Sequence, residues 1–213
     1  MNGTLDIVRD FKTSMTSRIQ IPGVSACLRP VQVSLSDAKK MAKWRTSNFQ
    51  AFLTWLKPNE NEVLKWLEQY SMRDNDIIFI IEMAEGDLAG QLSLYNIDFS
   101  ISQAEFGRTI RDDDNRFKGI MMSASKSLLD WGFNYLHLKM IFLEVFSDNY
   151  PAISLYKKIG FRIVDEIPVR KQESLDGIVK WLRLKPTIYS KDEMFSDGRQ
   201  LFKMILSKSE FSR

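Results

Sequence analysis

The sequence predicts an α/β (α+β) chain, in which short strands pack against helices. Three observations carry that prediction. At Ile77-Ile78-Phe79-Ile80-Ile81, helical spacing gives way to a continuous β-branched run, the mark of a buried strand. Two further strand-like runs, Leu88–Tyr95 and Ala104–Ile110, follow across short links and predict an antiparallel meander. Then Phe117, Ile120, Met121, Ala124, Leu128, Trp131 and Tyr135 line one face of a helix of about five turns, and Met140–Phe146 reads as another buried strand behind it.

The remaining elements follow in order. Residues 1–23 form an N-terminal extension, where Leu5, Ile7, Val8 and Phe11 suit a short helix. Val24 to Val33 is extended. Ser34 or Ser36 then caps a helix whose apolar positions are Ala38, Met41, Ala42 and Trp44. Asn59 and Glu62 stand in a capping-box relation at the start of the next helix, and Val63, Trp66, Leu67 and Tyr70 form its apolar face. Glu85-Gly86-Asp87 is a turn, and Arg111-Asp112-Asp113-Asp114-Asn115 breaks the pattern before the long helix. Ser147-Asp148-Asn149 stops the strand that ends at Phe146, and a short helix carrying Ala152, Leu155 and Tyr156 ends at Gly160 as C-cap. Phe161–Ile167 and Ile178–Leu184 read as a closing strand pair. Residues 186–213 form a C-terminal extension with a small amphipathic helix around Leu201, Phe202, Ile205 and Leu206.

The chain has 213 residues, enough for one large domain with extensions. Thirty Lys+Arg against 27 Asp+Glu leave a net charge of +3, too balanced to point to a nucleic-acid partner. The single cysteine, Cys27, excludes a disulfide framework and a Cys-rich zinc site; the single histidine, His137, excludes a multi-histidine metal centre. Both read as structural. Chemistry therefore rests on carboxylates, tyrosines, backbone amides or a borrowed cofactor, with no metal. No run of about 18 apolar residues suggests a membrane span. Met1–Asp10 lacks the pattern of a secretory signal, so a cytoplasmic location is the expectation.

The most informative unit is the strand, loop and helix from Glu105 to Trp131. In Arg116-Phe117-Lys118-Gly119-Ile120-Met121 a glycine opens a long helix, so backbone can approach a ligand closely. The first N–H groups of a helix have no intrahelical partners and its dipole adds partial positive charge. With Arg116 and Lys118 alongside, this is a candidate pyrophosphate cradle. Past the next strand come Asn149-Tyr150-Pro151-Ala152 and Leu155-Tyr156-Lys157-Lys158-Ile159-Gly160-Phe161. In this order and at these distances the three segments resemble the GNAT superfamily of CoA-dependent N-acyltransferases. That superfamily has an Arg/Gln-x-x-Gly-x-Gly/Ala loop, an Asn-x-x-Ala/Ser element and a Leu-Tyr-x-Lys-x-Gly-Phe segment. The resemblance covers residues 24–185. Met121 stands where the superfamily prefers Gly or Ala, and its spacing directs it into the core. Asp112, Asp113 and Asp114 are expected to face solvent.

The resemblance implies a mixed, mostly antiparallel sheet flanked by helices, with strands 104–110 and 140–146 splayed apart. Acyl-CoA, carrying acetyl or a longer chain, would lay its pantetheine arm beside Arg108, Thr109 and Ile110 and its pyrophosphate on residues 116–121, with Asn149 as a further contact. Tyr156 would be the general acid: a free thiol has a pKa of about 8.5 and a phenol about 10, so a positioned tyrosine can protonate a departing sulfur. Glu105 would be the base, with Tyr95 and Asp98 in reserve. Trp44, Arg45, Tyr95 and Asp98 are the acceptor contacts so implied, and Met121 and Phe146 would shape the acyl cavity. Within the superfamily the chain resembles two groups, one that acetylates the N-terminus of ribosomal proteins and one that acylates nucleotide-linked amino sugars; Leu94–Asp98, Ala104–Arg108 and Leu143–Asn149 are most similar to the second. The expected partner is therefore a dTDP- or UDP-linked amino sugar, with neither nucleic acid nor membrane involved and a homodimer as the expected assembly. The alternatives are acetylation of a ribosomal or other protein N-terminus, and a non-catalytic module that binds CoA or a nucleotide.

Overall fold

The computed structural model describes residues 3–14, 16–184 and 199–212. Helix α1 (Gly3–Thr13) precedes strands β1 (Ile19–Gln20) and β2 (Ala26–Pro30), helix α2 (Leu35–Ser47), strand β3 (Thr54–Trp55) and helix α3 (Glu60–Ser71). The meander is β4 (Ile77–Met83), β5 (Leu88–Asp98) and β6 (Gln103–Arg111). Helix α4 (Ile120–Asn134), strand β7 (Met140–Phe146), helix α5 (Tyr150–Ile159), strands β8 (Arg162–Glu173), β9 (Val179–Arg183) and β10 (Gln200–Ser207), and a last turn of helix at Lys208–Phe211 complete the described chain.

Local chemistry explains several of these elements. Ser34 accepts from the Asp37 N–H and caps α2. The Asn59 side chain accepts from the N–H groups of Asn61 and Glu62 while Glu62 reaches back to the Asn59 N–H, so the expected capping box is formed. Gly160 closes α5 in the left-handed region, at φ +118°.

The strands join in the order β1-β2-β4-β5-β6-β7-β10-β8-β9-β3. Every pairing is antiparallel except β6 with β7. One face of the sheet carries the main core, where α1, α4 and α5 pack through Val8, Leu128, Trp131 and Ile153. The opposite face is covered near β4 by α2 and α3, through Trp44, Leu67 and Tyr70. At its far corner a cluster of Phe146, Val169, Trp181 and Leu201 is joined by Trp55. Between these two covers the middle of that face, over β5, β6 and β7, carries the polar side chains described below.

Two expectations are corrected. Residues 201–206 form strand β10, which runs between β7 and β8 and pairs with both. Phe202, Met204 and Leu206 enter the main core, an alternation that helical spacing does not explain. The closing strand pair is also displaced. The first part of β8 pairs with β10, and only Val169–Glu173 pairs with β9. Residues 186–198 of the C-terminal extension lie outside the described residues.

Candidate active site

Strands β6 and β7 pair in parallel only over Gln103–Glu105 and Met140–Phe142. Beyond that point the ladder ends and the strands diverge, leaving facing backbone edges from Phe106 and Leu143 onward. Buried backbone polar groups require partners. An amide-rich arm lying between the edges would supply them.

The β6 edge is shaped by a bulge. Gln91 pairs with Ile110 and Ser93 with Gly107, so two residues of β6 oppose one of β5. Arg108 sits at the bulge with φ +49°, a left-handed conformation. Gln91 Nε2 donates to the Arg108 carbonyl at 3.1 Å, and Ser93 Oγ donates to the Gly107 carbonyl at 3.0 Å. The Arg108 side chain is taken up by Asp76 through two bonds, at 2.5 and 3.0 Å, and lies 4.3 Å from the Tyr95 ring centroid. Its backbone, with that of Thr109 and Ile110, is what remains for a ligand. Ile110 is buried against α2 and α3.

The loop after β6 leads to Gly119, the N-cap of α4. Gly119 has φ +91°, no side chain caps the helix, and a Cβ at this position would meet nothing within 4 Å. A left-handed glycine with open space above an uncapped helix start is a cradle that an anion fits. Phe117, Ile120 and Met121 turn their side chains into the core, so they can offer only backbone N–H groups. Lys118 is exposed at the mouth of this loop.

Two charged neighbours differ from expectation. Arg116 is held by Asp87 at 2.8 Å and Asp114 at 2.9 Å, which neutralises the cation assigned to the cradle. Asp112 does not face solvent. It is buried, accepts from Trp44 Nε1 at 2.7 Å and lies 3.7 Å from Lys40. Those partners hold its carboxyl below the usual range against the opposing effect of burial. Trp44 is thereby a buried prop between α2 and the loop, and the acceptor contact assigned to it is corrected. Asn149 accepts from the Ala152 N–H at 3.4 Å, which makes its side chain the N-cap of α5.

Tyr156 projects from α5 into the main core below the splay, edge-on to Phe106 and Phe161 with centroids 6.0 Å away in each case. Burial pushes its phenol above the ordinary range, and the Thr109 hydroxyl beside it works in the opposite direction. The two do not form a fully aligned hydrogen bond, because Thr109 Oγ1 is buried without a partner. That orphaned hydroxyl at the splay is a second feature suited to a polar ligand.

Across the sheet, Glu105 accepts from Tyr95 Oη at 2.6 Å and from Asn96 Nδ2 at 2.9 Å. Burial, then the Glu105 carboxylate, push the Tyr95 phenol upward, so Tyr95 remains a donor that orients Glu105. Next along this face, Glu144 is paired with Arg183. Arg45 donates to the Thr54 carbonyl at 2.7 Å and stacks on Phe52, 3.6 Å from the ring centroid. Burial, with repulsion from Arg108, draws its pKa down to about 10. Asp98 is not drawn into this group. It accepts from Ser100 in an exposed turn, which lowers its pKa. The residues that sequence reasoning missed, Asp76, Gln91, Ser93, Gly107, Glu144 and Arg183, lie on five different strands or strand leads. The register that brings them together leaves no local motif.

The Acetyltransferase (GNAT) domain family matches residues 26–162. The spermidine N(1)-acetyltransferase of Escherichia coli K12 is 28% identical over 140 residues, covering 66% of this chain and 70% of that protein. The L-amino acid N-acetyltransferase of the same organism is 31% identical over 107 residues, covering 46% and 60% respectively. The structure of Vibrio cholerae spermidine N-acetyltransferase in complex with CoA and spermine aligns with a TM-score of 0.66 at 20% identity, over 89% of this chain and 99% of that one. The chain belongs to the GNAT acetyltransferase family and is an acyl-CoA-dependent N-acyltransferase.

Proposed function

We propose that the protein transfers an acetyl group to the primary amine of a small acceptor that also carries an anionic group, with a nucleotide-linked amino sugar as the substrate class. The observation that carries the amine side of this reading is Glu105, held by Tyr95 and Asn96 at the point where β6 and β7 part. Acyl-CoA supplies an activated thioester when bound, held by the backbone of Arg108–Ile110 and the cradle at Gly119. Glu105 accepts a proton from the incoming ammonium or from a bridging water, since only the neutral amine is a nucleophile. Tyr156 Oη, kept protonated by its burial, would supply the proton to the departing thiolate.

Arg45 supports an anion on the acceptor. Arg29, Arg108, Arg183 and Arg199 each face a carboxylate, whereas Arg45 is met by a carbonyl and an aromatic face. A desolvated guanidinium without a counter-charge is costly, and a phosphate or carboxylate from a ligand would offset that cost. A polyamine is the second reading, favoured by the activity of the Escherichia coli relative. Against it, the cleft carboxylates Asp76 and Glu144 are already paired, which leaves Glu105 for a single ammonium.

The test is mass spectrometry of products from acetyl-CoA with spermidine, dTDP- and UDP-linked amino sugars, amino acids and a peptide amine. Acetylation of an anionic acceptor, weakened by Arg45→Gln, is the expected result. Acetylation of spermidine alone, unaffected by Arg45→Gln, would replace the first reading with the second.

A further inference from the structure

Helix α1 lies outside the segment matched by the family, yet it reaches a support of the cleft. Lys12, in its last turn, directs its ammonium at the end of α3. Nζ donates to the carbonyls of Tyr70 (2.9 Å), Arg73 (2.8 Å) and Asp76 (3.2 Å), and stands 3.8 Å from the Tyr70 ring centroid. An ammonium has three donors, so all are engaged. Helix C-terminal carbonyls lack intrahelical partners and sit at the negative end of the dipole, which suits a cation. The approach of α1 is fixed by Arg9 on Asp74 at 3.2 Å and by Phe11 packed against Phe79 and Trp131.

The same turn ends at Asp76, whose buried carboxylate holds Arg108 through two bonds and Arg73 through one at 3.3 Å. Arg108 is the left-handed residue of the β6 bulge. A non-glycine residue in that conformation persists when its surroundings over-determine it.

We propose that Lys12 is a positioning residue of the acyltransferase site: its ammonium fixes the Tyr70–Asp76 turn, the turn fixes Asp76, and Asp76 holds the bulge that presents the β6 edge to acyl-CoA. The proposal rests on the reading that this edge receives acyl-CoA. Asp76 and Asp74 favour the ammonium, Arg73 and Arg108 oppose it, and burial outweighs all of them, drawing Lys12 from 10.5 to about 8. Above that pH the amine has one donor fewer and loses charge assistance, so the clamp slackens. Global stability moves the other way. The folded state releases the proton more readily than the unfolded chain, so the Lys12 contribution to stability rises between about pH 8 and 10.5. A clamp effect is therefore separable from unfolding.

The experiment is calorimetric binding of acetyl-CoA to the full chain from about pH 6.5 to about pH 9.5, spanning the Lys12 transition, with melting temperature measured alongside. Wild type should bind more weakly as the pH passes about 8. Lys12→Met should weaken binding about tenfold and flatten that pH dependence, with the acceptor KM changed less than about twofold. Lys12→Gln keeps neutral donors and guards against a folding defect; it should bind with intermediate, pH-independent affinity. Lys12→Met added to Asp76→Asn should weaken binding no further, because both act through one path. Wild-type affinity in Lys12→Met at every pH, with only the melting temperature lowered, would overturn the proposal, as would additive losses in the double variant. Wild type that fails to bind acetyl-CoA would instead overturn the reading of the β6 edge on which the proposal rests.

Discussion

Gly107→Ala probes the proposed acceptor site with a single methyl group. The Cβ would lie 3.0 Å from Tyr95 Oη and 3.1 Å from its Cε1. Ordinary contact begins at 3.4 Å, so the phenol must retreat by about 0.4 Å, the difference between 3.4 and 3.0. The Tyr95–Glu105 bond is 2.6 Å, and a retreat of that size takes it from a short charge-assisted bond to the long end of the O–H···O range. A hydrogen bond to a charged group contributes about 1.5–3 kcal/mol, and losing about half of that corresponds to roughly tenfold. Gly107 is not among the left-handed residues, so alanine brings no backbone strain. The expected result is a fall of about tenfold in kcat/KM for the acceptor, near-native acetyl-CoA binding and a melting temperature within a few degrees of wild type. Tyr95→Phe, which removes the donor without a clash, should match it. The assay is thiol release from acetyl-CoA at varied acceptor concentration. If both variants keep acceptor kcat/KM within about twofold of wild type, Glu105 does not receive the amine and the site is misplaced.

Tyr156→Phe should lower kcat by about 100-fold while calorimetric acetyl-CoA affinity stays near native, as expected for a group that only delivers a proton; lost binding would refute that role. Gly119→Ala forces a methyl-bearing residue to φ +91° in open space. It should cost about 1–3 kcal/mol in denaturant melts and weaken acetyl-CoA binding, and unchanged stability would refute the strain argument. Glu210 is held at about 2 by hydrogen bonds from Ser207 and Arg162. Its depressed pKa gives stability that is present above the ordinary value of 4.5 and lost as the pH falls toward 2. Glu210→Gln should flatten the acid limb of a melting-temperature profile, and an unchanged limb would refute the assignment.

Features decided within a few residues of chain were legible before any fold was known. The capping box at Asn59 and Glu62, the apolar face of α4, the glycine at its mouth and the Gly160 C-cap follow from periodicity and backbone freedom, which are local quantities. The segment resemblance then identified the family, because its three motifs are contiguous in sequence. Strand β10 was not legible. Leu201, Phe202, Met204, Ile205 and Leu206 satisfy helical and strand spacing alike, and only the open edges of β7 and β8 select the strand. The charge assignments failed for a related reason. Whether Arg116 is available or Asp112 buried depends on Asp87 and Trp44, which are 29 and 68 positions away. The sequence by itself determined the family, the caps and the elements from Ile77 to Gly160. Only the tertiary structure decided the β6 bulge, which charges are paired, and how α1 reaches the Tyr70–Asp76 turn, because these depend on register and packing between segments far apart in the chain.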